Sequence, residues 1–140
     1  MNTEPIYFYR AGDPYGCLSN FSAHSILLDG ETWPTSEHYF QAQKFFDPDY
    51  RERIRLTPTP MIAARLGRSR AVPIRPDWEE VKIEIMRKAL WAKLQQHSEV
   101  RESLLSTGSA ELVEHTKNDR FWADGGDGSG QNMLGKLWME

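Results

Sequence analysis

Cysteine is nearly missing: Cys17 is the only one in 140 residues. An intrachain disulfide is therefore excluded and a reducing compartment is expected. No apolar run approaches the roughly 20 residues of a membrane span, and no N-terminal stretch resembles a secretory leader. The expectation is a soluble, cytoplasmic protein with no membrane partner. Net charge is also scarce, at −3, so the chain lacks the electrostatic footprint of a nucleic-acid binder. His24, His38, His97 and His115 show neither zincin nor zinc-finger spacing, so no metal site is expected, and nothing marks a cofactor. There is no nucleophile elbow, and Cys17 has no local partner signature. Repeats, low-complexity tracts and flexible linkers are absent too, which leaves a single domain over 1–140.

Aromatic residues, by contrast, are plentiful: five Trp, five Tyr and six Phe, more than a small core strictly needs and enough for a stacking site. Ile6-Tyr7-Phe8-Tyr9 reads as a strand. His24 to Leu28 and Glu31 to Trp33 read as a hairpin turning at Asp29-Gly30. Helices are expected after Ser36, over Asp49 to Leu56, and over Met61 to Leu66, the last capped by Thr59 and stopped by Gly67. Asp77 and Glu80 form a capping-box variant ahead of a long helix ending near Gln95 or Gln96. That helix carries two apolar rows, Val81-Ile85-Ala89-Ala92 and Met86-Leu90-Leu94, hence a wide buried face. Short helices are expected over Ser98 to Ser106 and Ser109 to His115, and a last one from Gln131. The fold class that follows is α+β, predominantly helical, with a small N-terminal β-sheet.

The most informative stretch runs from Trp33 to Phe45. Thr35 or Ser36 caps a turn in which Glu37, Gln41 and Lys44 lie within about 60° of one another on a helical wheel. Tyr39, Ala42 and Phe46 point the other way, toward a core. An acid and an amine on one rigid stripe supply the groups for proton transfer or carbonyl chemistry. The same pattern also describes any solvated helix face, and Glu in a first turn simply suits the helix dipole. Phe40 and Phe45 flank the stripe, which favours a cleft.

Other segments add candidates. Between Arg51 and Arg75 lie seven arginines, Arg68 among them, either a phosphate-holding cluster or a solvated surface paired to acids. Arg10 and Asn20 sit in an early loop, where polar side chains often meet ligands. Trp78 is either the apolar lead-in to the long helix or an aromatic platform. The glycine-rich stretch from Asn118 to Gly130 lacks the Lys-Ser/Thr of a P-loop and the ligand alternation of a calcium loop. It reads more simply as a wall beside a ligand, carrying Asp119, Trp122 and Asp124. Composition and spacing reach no reaction from here.

Taken in order, Tyr15 to Phe21, Trp33 to Phe45, Met61 to Arg70, Trp78 with Met86 to Leu90, Leu112 to Thr116, and Phe121 to Gly135 resemble the NADAR domain family, also called YbiA-like. The resemblance covers nearly the whole chain and implies an N-glycosidase, a hydrolase acting on N-glycosyl compounds. Its implied substrates are ribosylamino-pyrimidine 5′-phosphates, intermediates of riboflavin biosynthesis. The alternative within the family is ADP-ribose attached to guanine, with nucleic acid entering only as an ADP-ribosylated substrate. A non-catalytic module binding a phosphoribosyl ligand is a further alternative. The family's functional residues fall here on Glu37, Lys44, Trp78, Asp119 and Trp122. Glu37, Lys44 and Asp119 are then the expected catalytic groups, and Arg10, Asn20, Arg68, Trp78, Trp122 and Asp124 the expected substrate contacts. One departure is Ala123, where the family usually has Gly.

Overall fold

The computed structural model describes residues 4–140. The chain packs as two compact units: the segment up to Ser22 together with His97–Glu140, and the segment Ala23–Gln96. Helices predominate and the strands are short, so the α+β class read from the sequence is the one observed.

In the Ala23–Gln96 unit, strands β2 (Ile26–Leu28) and β3 (Glu31–Trp33) form the expected antiparallel hairpin, with Leu28 opposite Glu31. Asp29 and Gly30 both take positive φ, 55° and 80°, which is what a two-residue type I′ turn requires. Helix α1 (Ser36–Ala42) follows. It packs among α2 (Pro48–Arg55), α3 (Pro60–Arg68) and α4 (Trp78–Gln96). Tyr39, Ala42, Phe45, Tyr50, Ile54, Ala63, Ala89 and Ala92 form the core around it. The wide buried face of α4 is present in Met86, Ala89, Leu90 and Ala92, and Lys93 is buried with them.

Three details differ from expectation. Phe46 is exposed rather than in the core, with the Arg75 guanidinium 4.6 Å from its ring centroid, and Phe45 takes the core place. The cause is that α1 ends at Ala42. The backbone then tightens, Lys44 N–H bonding to Gln41 O and Phe45 N–H to Ala42 O, so wheel positions beyond Gln43 no longer hold. Second, α3 runs through Gly67 instead of stopping there. Third, Asp77 precedes α4 as expected, but its carboxylate is taken by Arg75 at 2.6 and 3.0 Å. A bidentate guanidinium is a stronger partner for it than a single backbone N–H.

In the other unit, β1 (Ile6–Phe8) pairs in parallel with β4 (Leu112–Glu114). The helix expected over Ser109 to His115 is therefore wrong: Leu112 to Glu114 pair with Ile6 to Phe8, a partner more than 100 residues away that no local pattern reveals. Helix α5 (Ser98–Ser106) is present, and α6 (Met133–Met139) begins two residues later than expected. Asn132 bridges α6 to the strand, accepting from Glu114 N–H at 2.9 Å and donating to Leu112 O at 2.9 Å.

The entry into α1 is unusually well tied. Thr35 Oγ1 accepts from His38 N–H at 3.1 Å and lies 2.8 Å from His38 Nδ1. Because Thr57 O, 3.1 Å from Nε2, can only accept, Nε2 carries the proton and Nδ1 accepts from the Thr35 hydroxyl. Burial holds this histidine below its ordinary pKa, against the opposing pull of the Thr57 bond, in keeping with a neutral core side chain. Thr35→Val is expected to cost about 1–2 kcal/mol through loss of the cap and of the histidine's partner. Thr35→Ser should retain most of that; urea midpoints of the three proteins test it.

Candidate active site

The stripe on α1 is not a solvent face. Glu37 and Gln41 are 8% and 7% exposed, and Gln41 Nε2 donates to Glu37 Oε2 at 2.8 Å. One turn separates them, so the side chains meet as i,i+4 neighbours do. Lys44, just past the helix, is half-buried. Its Nζ lies 3.4 Å from Gly67 O and 5.9 Å from the centroid of the Trp78 ring. Trp78 in turn tilts against Phe40 at 5.1 Å. At 7% exposure it is a wall of the lysine's surroundings rather than an open platform.

The electrostatics of this corner are set by burial. Loss of water pushes the Lys44 ammonium down to about 8; Glu37 pulls the other way, while Arg70, Arg68 and Lys82 add to the lowering. A buried amine among cations, with one carboxylate nearby, is how a lysine is made neutral enough to act as a nucleophile.

The arginine cluster divides. Arg51 donates to Gln43 Oε1, Arg55 is paired to Glu31 and Glu52, and Arg75 to Asp77. Arg70 turns back onto Gly67 O and Ser69 O at 3.0 and 3.1 Å. Arg68 is exposed and makes no hydrogen bond or salt bridge among the described residues. The reading as a surface paired to acids holds for Arg55 and Arg75, while Arg68 and Arg70 lie near enough to Lys44 to act on its charge.

Arg10, Asn20, Asp119, Trp122 and Asp124 belong to the other unit. Asp119 Oδ1 accepts from Phe121 N–H and Trp122 N–H, each at 2.8 Å, in an Asx turn. Its Oδ2 takes no hydrogen bond among the described residues. Asp124 is buried and committed to the loop itself. Its Oδ1 accepts from Gly126 N–H at 2.8 Å and Thr116 N–H at 3.2 Å, and Oδ2 lies 2.7 Å from His115 Nδ1. Burial alone would raise this carboxyl; the bonds to His115, Gly126 and Thr116 outweigh it and hold the pKa below the ordinary value. Asn20 is buried, and Arg10 is exposed with its backbone N–H on Asp13 Oδ2. Trp122 is half-buried and stacks edge-on with Phe121 at 4.8 Å. Ala123 is fully buried, so its methyl group is packed inside the loop.

The loop is not an anion cradle. Met133 N–H and Leu134 N–H, at the start of α6, are taken by Phe121 O and Trp122 O at 2.9 and 3.0 Å. Gly130 N–H bonds to Asp124 O at 2.7 Å. The donors that would receive a phosphate are spent on holding the loop closed.

With the geometry established, comparison with known proteins is decisive about kinship. The family model for the NADAR domain matches residues 7–140. The chain belongs to the NADAR domain family. It is 60% identical to the N-glycosidase YbiA of Escherichia coli over 140 residues, covering all of this chain and 88% of that protein. It is 46% identical to an N-glycosidase of Nostoc punctiforme, covering 96% and 88% of the two chains. It is also similar to a riboflavin biosynthesis protein of Vibrio vulnificus, at 43% identity over 97% of this chain and 37% of that one. The NMR structure of E. coli YbiA matches with a TM-score of 0.91 and 58% identity, over 99% of this chain and 83% of that one.

Within this NADAR domain, sequence reasoning passed over Gly67 and His115, and it offered Arg70 only as a member of the arginine cluster. Gly67 and His115 gave no signal of their own: the first reads as a helix stop, the second as an isolated histidine. Arg70 was one arginine among seven. The lysine's environment predicts signs as well as a midpoint. The Lys44 amine should titrate near 8 when its acylation rate is followed against pH by mass spectrometry. Glu37→Gln should lower that midpoint, since the carboxylate holds the proton on, and Arg70→Ala should raise it.

Proposed function

We propose that this protein hydrolyses the C–N bond between ribose and an amino-pyrimidine in ribosylamino-pyrimidine 5′-phosphates, with Lys44 as nucleophile and Glu37 as its acid–base partner. The enzyme class is that of its full-length relatives: a hydrolase acting on N-glycosyl bonds. The substrate is inferred from the family resemblance and from the riboflavin biosynthesis name carried by the Vibrio vulnificus relative. The observation that carries the mechanism is the half-buried Lys44 amine beside buried Glu37, with Arg68 and Arg70 near it.

A ribosylamine opens when the ring oxygen takes a proton from solvent and the C1′–N bond becomes a protonated imine. Neutral Lys44 Nζ then adds to C1′. The Glu37 carboxylate takes the proton that the added Lys44 nitrogen sheds and passes it to the departing amine as the C1′–N bond to the pyrimidine breaks, leaving a protonated Schiff base between C1′ and Lys44. Water adds to that carbon, its proton passing through Glu37 to solvent, and ribose 5-phosphate leaves with Lys44 regenerated. One water is consumed overall. A pKa of about 8 leaves roughly one lysine in ten neutral at pH 7, against about one in three thousand at the ordinary value.

Arg68 and Arg70 supply donors suited to the 5′-phosphate. Asp119 and Trp122, with Arg10 and Asn20, enter this reading through the family resemblance and their loop positions. Asp124, with both oxygens engaged, serves by shaping the loop.

The test is borohydride reduction during turnover of the ribosylamino-pyrimidine, followed by peptide mass spectrometry. A pentose-phosphate adduct on Lys44, lost in Lys44→Ala together with at least about 10³-fold of the rate, is expected. Turnover without any Lys44 adduct would leave a direct carboxylate-assisted route. Release of ADP-ribose from ADP-ribosyl-guanine, with the ribosylamine untouched, would reassign the substrate. Because the neutral amine attacks, kcat/KM should rise as pH passes upward through about 8 and level off above it.

A further inference from the structure

Gln41 belongs to no part of the chemistry just described, yet it is the buried polar group that pairs with Glu37. The residue is only 7% exposed. Nε2 donates to Glu37 Oε2, while Oε1 has no hydrogen-bond partner. An ionised carboxylate accepts only, so the amide must present its NH2 there while Glu37 is charged. The orphaned oxygen is left facing α3, where Gly67 stands. A Cβ at Gly67 would sit 2.6 Å from Gln41 Cδ and closer still to Oε1. Gly67 has no backbone reason to be glycine: it lies inside α3 with no positive φ. The residue is small because the amide occupies its side-chain space. The Gly67 carbonyl meanwhile accepts from Lys44 Nζ and Arg70 Nη1.

We propose that Gln41 is a positioning residue for Glu37, clamped by the missing side chain at Gly67, so that one short stretch of α3 sets both the carboxylate and the amine. The inference rests on the N-glycosidase reading of the Glu37–Lys44 pair and adds a second feature to it. When Glu37 holds a proton, a half-turn of the Gln41 amide offers Oε1 to the acid's hydroxyl. That turn gives up no existing bond on the Gly67 side, because Oε1 has none there. The amide can therefore follow Glu37 through both protonation states, which a carboxyl that gives and regains a proton requires.

The test reads Glu37 directly, by 13C NMR titration of its side-chain carboxyl in protein without substrate. Gln41→Leu removes the donor that favours the charged form, so the midpoint should rise by about half a unit or more. Gln41→Glu, isosteric with the native side chain, should raise it further through like-charge repulsion. Gly67→Ala should reproduce the Gln41→Leu shift by displacing the amide, and should add little in a Gln41→Ala background, where the new methyl group fills vacated space. In turnover, Gln41→Leu is expected to lower kcat by about 10²-fold with KM within about twofold, and to move the limb of the pH profile that belongs to Glu37. An unchanged Glu37 titration in both Gln41 variants overturns the proposal, as does additivity of Gly67→Ala and Gln41→Ala in thermal stability and in kcat. If Gly67→Ala does not fold, the two Gln41 titrations decide alone. Absence of turnover by the native protein, with these titration shifts intact, removes the enzymatic reading and leaves the clamp standing.

Discussion

A carboxylate and an amide taken out of water together are costly unless they pair, and in the Ala23–Gln96 unit they pair with each other, leaving one amide oxygen over. Glu37 and Gln41 meet each other across one turn of α1, and α3 closes over them at a residue without a side chain. The approach that Gly67 permits brings its carbonyl to Lys44 and Arg70. Closing α3 onto α1 also lets Tyr50 donate to Leu66 O at 2.6 Å, which ties α2 to the same place. Packing and site chemistry are not separable here, because the backbone that excludes water from the acid is the one that locates the amine.

The lysine's low pKa is a consequence of the same closure. Burial is the largest cause, and the nearby cations reinforce it; Glu37 alone opposes. With fewer cations around it the amine would hold its proton to a higher pH, and without the carboxylate it would lack a proton acceptor beside it. The glycine-rich loop of the other unit solves a different problem. Its acids are used on backbone N–H groups and on His115, which makes a tightly turned, self-contained segment leading into α6. That is why it does not serve as an anion cradle despite its glycines.

Much of this was legible beforehand. The hairpin at Asp29-Gly30, the Thr35 and Thr59 caps and the length of α4 are local effects of turn chemistry, capping and periodicity, and they appear where expected. Glu37 and Gln41 could be placed side by side by angle alone; Lys44, past the end of α1, could not. Whether they faced water could not be told that way. A polar stripe has the same pattern whether it meets solvent or another helix, and only the position of α3 distinguishes the two. The early end of α1, which exchanged Phe45 for Phe46 in the core, also lay beyond a wheel that assumes a continuing helix.

The sequence by itself determined the elements that short-range forces dictate, and the order of motifs that marks a NADAR domain. Tertiary structure decided the rest. It turned Leu112–Glu114 from an expected helix into a strand by supplying Ile6–Phe8 as its partner. It made Gly67 a space for a side chain rather than a helix stop. It converted the α1 stripe from an amphipathic pattern into a buried acid beside a weakened base. The physical reason is common to all three: pairing, close approach and desolvation depend on groups far apart in the chain, and each acts only once folding has brought them together.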